Sequence, residues 1–403
     1  MTRPASRAAD RGAPVACFNA LTTPDVGRCL ATCPHESRNR LRSPPRFLGA
    51  DWNRWNSCDN LAGMHPARFD AITARYPGLR VAIVGDFCLD RYLEIDPARK
   101  ETSIETGLPV HNVVRVRSQP GAAGTILNNL VALGVRTIYP VGFCGRDGEG
   151  FELQQALRAT AGVRLDHFLE TPHRRTFTYC KPLLIESGKA PVELSRLDSK
   201  NWTPTPTAVE DRLGEAVARL AGEVDAMIVM DQVDLAGTGV VTARVLEAQA
   251  QALRQEPHPL IIADSRRGLG GFPPVIFKMN GAELAALLET PAPADVDGVR
   301  RQAIELARRH QQPVFVTLAE RGIVGATPEG ASEHVPSLAL RGEIDIVGAG
   351  DAVTANLATA LAAGGDLRES LVLSSTAASV VIHQLGTTGT ASVPQIRALA
   401  VAG

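Results

Sequence analysis

Between residues 79 and 318 the chain repeats one pattern: a short, continuously apolar run rich in Val and Ile, then a longer stretch of helical periodicity. The runs are LRVAIVGD (79–86), TIYPVGF (137–143), DAMIVMD (225–231), PLIIAD (259–264), VIFKMN (275–280) and PVFVTL (313–318). Unbroken apolarity, in place of alternation, marks strands covered on both faces. Segments 148–160, 207–222, 239–254 and 296–310 supply the covering helices, which predicts an α/β fold with a doubly wound, mostly parallel sheet. Two more helical stretches fill 349–385, broken at Gly364, Gly365 and Asp366. In such sheets ligands bind beyond the carboxyl ends of the strands. Those ends carry Asp86, Asp231, Asp264, Asn280 and Thr317.

Two segments break the rhythm. Residues 91–117 and 174–197 carry β-branched and aromatic residues in alternation, with Gly or Pro turns, and are expected to form antiparallel strands of a small β lid over the pocket. The exposed edges of such a lid suggest a homodimer that pairs two lids. A formal charge of −1 and 21% charged residues give no ground for a nucleic-acid partner, and no apolar run is long enough for a transmembrane helix. Residues 1–63 differ: nine Arg, no Lys and five acids make them +4 against −5 for the remaining 340. Their Pro residues interrupt any amphipathic leader, so residues 1–63 are expected to be disordered or a misassigned extension ahead of a start at Met64, with 64–403 as the working domain. Cys29, Cys33, His35 and Cys58 lack the second close pair of a metal site, and Cys88, Cys144 and Cys180 are expected to be buried thiols of a reduced, cytoplasmic protein.

The sharpest local signal is IDIVGAGDAV (344–353). Gly348 and Gly350 permit a tight turn, so that the amides of 348–351 point outward at the start of the following helix, where unpaired N–H groups and the helix dipole favour an anion. An aspartate placed there is unfavourable for anion binding alone. Asp351 makes chemical sense as a base that takes a proton from an attacking hydroxyl while the amides steady a transferred phosphoryl group. The plain alternative is that Asp351 caps its helix.

This string resembles the Asp-x-x-Gly-Ala-Gly-Asp signature of the PfkB, or ribokinase-like, family of carbohydrate kinases. IVGDFCLDRY (83–92) resembles the start of that fold, and QPGAAGTILNNLVALG (119–134) its Gly-rich sugar-binding segment, followed by VGFCGRDGEG (141–150). Asn280 with Glu283, and VTLAERG (316–322), resemble its nucleotide side. The likeness runs over about residues 78–395. Within the family, GDFCLDRYLEI, RLD at 196–198 and HQLGTTGTAS at 383–392 are similar to the kinase domain of the bifunctional heptose-phosphate kinase and adenylyltransferase. Only the kinase half is expected in these residues.

The resemblance implies an ATP-dependent phosphotransferase acting on a sugar or sugar phosphate. It casts Asp351 as base and Gly348, Ala349 and Gly350 as anion hole. Asn280 and Glu283 organise Mg2+ through water around the ATP phosphates, a task that suits oxygen donors. Asp90 grips sugar hydroxyls, aided by Asp86, Gly121, Ala122 and Thr125. Thr317 and Gly322 flank the nucleotide, and Asp345 lies near a monovalent-cation loop, which adds K+ to the expected cofactors. Each has a structural alternative: Asp345 and Asn280 as caps, Glu283 as a solvated first-turn residue, Asp86 as a tie for the turn after its strand.

Several positions depart from the family pattern. The Gly-Gly-x-x-Asn run reads Gly121, Ala122, Ala123, Gly124, Thr125; the threonine before Gly-Ala-Gly-Asp is Val347; Asp234 stands where the heptose kinases carry a basic residue; and Asp-Pro-Lys reads Asp264, Ser265, Arg266. These changes point away from heptose 7-phosphate as substrate. A phosphorylated sugar would need cations, for which Arg174, Arg175, Lys181 and Arg196 are the candidates. A sugar- or nucleotide-binding protein without turnover and a nucleoside kinase are the competing readings.

Overall fold

The computed structural model describes residues 63–189, 191–255 and 259–401. The expected extension over 1–63, Gly63 apart, and the Cys29, Cys33, His35, Cys58 set lie outside the described residues. In chain order the strands are β1 (Arg80–Gly85), β2 (Phe87–Thr102), β3 (Pro109–Ala122), β4 (Thr137–Gly145), β5 (Phe168–Thr171), β6 (Phe177–Leu184), β7 (Val192–Glu193), β8 (Leu197–Ser199), β9 (Ala226–Asp231), β10 (Leu260–Ser265), β11 (Ile276–Asn280), β12 (Val314–Thr317), β13 (Ile323–Ala326) and β14 (Ser332–Val335). The helices are α1 (Pro66–Thr73), α2 (Ala123–Ala132), α3 (Gly148–Ala159), α4 (Thr207–Leu220), α5 (Ala243–Ala252), α6 (Gly281–Leu288), α7 (Val296–His310), α8 (Ala349–Ala362), α9 (Leu367–Val381) and α10 (Val393–Ala400).

Strand β1 shows why the apolar runs are continuous. Val81 and Ile83 enter a core shared with Ile126 and Leu127 of α2, Leu357 of α8 and Leu371 of α9. Ala82 and Val84, pointing the other way, enter a second core with Leu213 and Val217 of α4, Val245 of α5 and Leu306 of α7. From Val81 to Gly85 every residue of the strand is buried, so none can be polar without a partner. The main sheet runs β14-β13-β12-β11-β10-β9-β1-β4-β5, parallel from β12 to β5, with β13 and β14 added antiparallel at one edge. After β1 the chain first builds outward through β4 and β5, then returns to place β9 on the opposite flank of β1. That reversal opens a crevice at the carboxyl ends of β1 and β9.

The second sheet, ordered β3-β2-β6-β7 with β8 also on β6, is the lid. It differs from the expectation in two ways. It starts at Phe87 and ends at Ala122 on its first hairpin, wider than 91–117, because β2 continues directly from the sheet edge beyond Asp86. Its β2–β6 pair is parallel, not antiparallel. The chain passes through β4 and β5 before β6, and so re-enters the lid in the direction of β2. The edge hairpin β13–β14 and the helices α6 and α10, of eight residues or fewer, carry too little periodicity to be read from sequence. No helix among the described residues is long and apolar enough to cross a membrane. Cys88 and Cys144 are buried free thiols as expected; Cys180 is only half-buried.

Candidate active site

The strand ends form the expected row. Register places Asp231 beside Ser265 and Asn280 beside Thr317, with Asp86 one step past the last β1–β9 pair, Gly85 and Met230. The row is not a set of free acids. Buried Asp86 accepts the amides of Gln232 (2.9 Å) and Val240 (2.6 Å), so both oxygens tie down the β9 turn. Burial, and then neighbouring Asp231, pushes its pKa up to about 6. Asp231 Oδ2 accepts Ser265 Oγ (2.8 Å) and Arg267 Nη2 (2.6 Å).

Deeper in the row lies a group that the sequence reading missed. Lys278, buried near the end of β11, donates Nζ to Asp264 Oδ2 at 2.7 Å, and Thr354 Oγ1 of α8 donates to the same oxygen at 2.9 Å. Burial works against the ammonium, but Asp264, with Asp351 and Glu283 behind it, more than offsets this and the Lys278 pKa is raised. A β-carbon added at Gly350 would lie 3.2 Å from this Nζ, so the cation sits directly behind the turn that opens α8. A lysine inside the apolar run VIFKMN was the available signal, since a buried cation requires an anion.

At the α8 end Gly348 has φ +84°, and a β-carbon there would lie 2.6 Å from Thr388 Cγ2 and 3.5 Å from Thr125 Cγ2. Glycine is therefore required on two counts. The Ala349 amide donates back to Ile346 O (3.2 Å), and that of Ala352 to Gly348 O (3.0 Å). Among the described residues no acceptor takes the amides of Gly350 and Asp351, which narrows the expected anion hole to these two. Half-buried Asp351 follows in the first turn. Its pKa is pushed up to about 7, chiefly by burial, then by Asp264 and Asp90, with Lys278 opposing.

The remaining nucleotide-side residues gather around one cleft of about 650 Å³, whose lining includes Asn280, Thr317, Gly322, Ile346, Gly350 and Val353. Asn280 and Glu283 form a capping box: Asn280 Oδ1 accepts the amides of Ala282 (2.9 Å) and Glu283 (3.0 Å), and Glu283 Oε2 accepts the Asn280 amide (2.7 Å). Burial raises the Glu283 pKa. Gly322 has φ +90°, and a β-carbon there would fall 2.0 Å from Val335 O, so β13 can turn back only with glycine. Thr317 Oγ1 reaches Met279 O at 3.4 Å. Asp345 caps its own loop, accepting the Val347 amide at 3.0 Å.

On the lid side, buried Asp90 sits on β2, opposite Gln119 of β3 and Tyr179 of β6. Its Oδ2 accepts Thr388 Oγ1 at 3.4 Å, and burial raises its pKa against the pull of Lys181, Thr388 and Arg196. A β-carbon at Gly121 would meet the Asp90 carboxylate at 2.7 Å, so Gly121 makes room for it. Ala122 caps α2 at φ +53°, a backbone conformation that ordinarily needs glycine. Thr125 lies in the first turn of α2 with its methyl towards Gly348. Thr388 thus links Asp90 to the opening turn of α8, a contact across 298 residues that local sequence does not show.

The basic candidates divide. Arg174 is buried and spent on Thr203 Oγ1 and the carbonyls of Thr203, Pro204 and Thr238, so it clamps loops and offers nothing to a phosphate. Arg175 donates to Ser199 Oγ, and Arg196 holds Asp198 with two nitrogens. Lys181 Nζ reaches Tyr92 Oη at 3.5 Å and, with Arg196, holds the Asp90 pKa down against burial.

The model of the pfkB family of carbohydrate kinases matches residues 240–394. The chain is 30% identical over 339 residues to the bifunctional protein HldE of Hyphomonas neptunium, across 84% of this chain and 67% of that protein. It spans 67%, 64% and 61% of the lengths of three curated relatives of that name. Its fold is similar to that of Arabidopsis thaliana ribokinase complexed with ribose and ATP (TM-score 0.57, 17% identity, 80% of this chain and 98% of that one). It is also similar to phosphofructokinase-2 from Escherichia coli in complex with fructose-6-phosphate (TM-score 0.61, 17% identity, 80% and 98%).

Proposed function

Because the chain belongs to the pfkB family of carbohydrate kinases, and is by that membership an ATP-dependent sugar kinase, we propose that Asp351 is its base, with ATP in the 650 Å³ cleft and the sugar between Asp351 and Asp90 beneath the lid. The observation that carries this reading is Asp351 itself. Its carboxyl titrates near neutrality, where a base both exists ionised and retains driving force for proton transfer. It stands beside two amides without acceptors and a buried lysine.

In this reading Asp90 and Thr388 orient the acceptor, and Asp351 takes the proton of the attacking hydroxyl. The amides of Gly350 and Asp351, backed by Lys278, steady negative charge on the phosphoryl group as it moves. Asn280 and Glu283 fit a role in holding Mg2+ through water rather than by direct ligation, since the capping box already uses Asn280 Oδ1 and Glu283 Oε2. When bound, Mg2+ neutralises charge on the ATP phosphates. K+, where used, would belong to the loop at Asp345, whose Oδ1 accepts the Val347 amide. The free thiols of Cys88, Cys144 and Cys180 suit a reducing, cytoplasmic setting.

The test is ATP consumption by the full chain with Mg2+, across free sugars, sugar phosphates and nucleosides, with Asp351→Asn run beside it. Turnover with one acceptor class, reduced about 10²–10⁴-fold in the variant, is expected. Near wild-type turnover in Asp351→Asn overturns the role of Asp351; ATP binding without any turnover favours a binding protein.

Lid pairing belongs to the same reading. Val113, Val114 and Val116 of the edge strand β3 are 42%, 48% and 47% exposed, and Val192 and Leu197 are more so. Apolar side chains on an open sheet edge favour a second lid as cover. Light scattering is expected to give twice the chain mass, and Val114→Lys with Val116→Lys to give the monomer; a monomeric wild type refutes the pairing.

A further inference from the structure

Around Tyr179 on β6, beside its register partner Asp90, four cations crowd the acceptor end of the proposed site. Arg196 lies 4.8 Å and Lys200 5.9 Å from the centre of the Tyr179 ring; Lys181, two residues along β6, lies 5.0 Å from the Tyr92 ring, and Arg266 joins the group through Asp234. So many cations beside a sugar site would ordinarily attract a phosphate ester. Three of the four are held by an acid. Lys181 Nζ reaches Tyr92 Oη at 3.5 Å with the Asp90 charge nearby, and Arg196 holds Asp198. Lys200 Nζ is 2.8 Å from Asp234 Oδ2 and 3.8 Å from Asp198 Oδ2, and Arg266 Nε is 3.2 Å from Asp234 Oδ1. Asp234 thus gives one oxygen to each of two cations from separate segments, and it shares a recess with Ala122 and Tyr179.

We propose that Asp234 is a specificity-determining residue that closes this end of the site to phosphorylated acceptors, so that the sugar taken by this chain carries no phosphate. The inference rests on the sugar-kinase reading above. A phosphate ester carries a charge of roughly −1.5 to −2. To reach Lys200 or Arg266 it must enter contact range of the carboxylate that both already hold, and that like-charge encounter is a repulsive device against one class of ligand. Without Asp234, the alternation Arg196, Asp198, Lys200, Asp234, Arg266 becomes three cations against one acid. An uncharged sugar meets no such barrier, since its hydroxyls donate to carboxylates and accept from cations equally well. Asp234 and Arg266 have side chains 47% and 52% exposed, with Lys200 at 24%, so the pairs add little to stability and Asp234→Asn should fold.

The experiment uses the full chain and matched acceptors: fructose with fructose 6-phosphate, and ribose with ribose 5-phosphate. Turnover with Mg-ATP is measured, and the same pairs are titrated by calorimetry with a non-hydrolysable ATP analogue filling the nucleotide cleft. In the wild type each free sugar is expected to bind and react at least tenfold better than its phosphate. Asp234→Asn is expected to tighten the phosphates at least tenfold and the free sugars less than twofold, and Arg266→Ala in that background to remove the gain. A wild type that prefers the phosphates, or an Asp234→Asn variant that does not tighten them, overturns the proposal. Absence of turnover with every acceptor would count against the kinase reading instead, and the calorimetric ratios would still decide the role of Asp234.

Discussion

The two ends of the candidate active site are built from different materials. At the α8 end the features are backbone amides, glycines whose β-carbons have no room, and a buried pair, Lys278 with Asp264. At the lid end they are side chains, many of them exposed, that answer one another in ion pairs. Backbone and buried charge cannot be altered without disturbing the sheet, whereas exposed pairs can be exchanged at little cost in stability. We read the first as the part that any phosphoryl transfer on this fold requires and the second as the part that selects the acceptor. A change at α8 should alter rate and stability together; a change on the lid should alter preference alone.

Asp351→Asn is the sharpest way to break that comparison, and its two effects have opposite sign. Loss of the base lowers kcat by the large factor given above. The same substitution should stabilise the fold at neutral and alkaline pH. The folded pKa of Asp351, about 7, is raised above the ordinary carboxylate value, so the fold favours the protonated form. Its contribution to stability is fully present below the unfolded pKa, near 4, and is lost as pH rises through 7. Asn avoids this loss. After allowance for solvent screening, the gain at pH 8 is on the order of 1–2 kcal/mol, vanishing below about pH 4, as denaturant titrations at the two pH values would show. Wild-type kcat/KM should fall below an apparent pKa near 7 as the base protonates. A flat profile from pH 5 to 8, or a variant less stable than wild type at pH 8, would detach Asp351 from both roles.

The same division explains what the sequence disclosed. The β1 and β9 to β12 strands and the α8 turn are written in neighbouring residues, as continuous apolarity or a glycine pair before an aspartate, and the structure has them within a residue or two of the expected bounds. The partners of the side chains were not legible. Lys278 meets Asp264 only because β10 and β11 lie side by side, and Asp90 meets Thr388 across almost the whole domain. Arg174 carries the same charge as Lys181, yet loop carbonyls consume it while Lys181 lies over the Tyr92 ring near Asp90. Residue type alone gives no means of telling the two apart, since the difference lies in how the loop at Thr203 and the strand β6 pass each other.

Ala122 offers the finest test, because it places backbone strain at the end of the site otherwise governed by side chains. It holds φ +53° and ψ −116° where β3 runs into α2, and its side chain makes no capping bond. A β-carbon in such a conformation costs on the order of 1–3 kcal/mol, while glycine costs about 0.5–1 kcal/mol in chain entropy. Ala122→Gly should therefore stabilise the fold by about 1 kcal/mol, read as a higher denaturant midpoint at unchanged slope. If the strain also holds the Gly121 gap open for the Asp90 carboxylate, the variant should bind acceptor more weakly while its ATP affinity stays the same. A variant less stable than wild type would mean that packing of the Ala122 methyl group in the recess beside Tyr179 outweighs the strain, which would make this position part of the acceptor pocket by contact rather than by backbone shape.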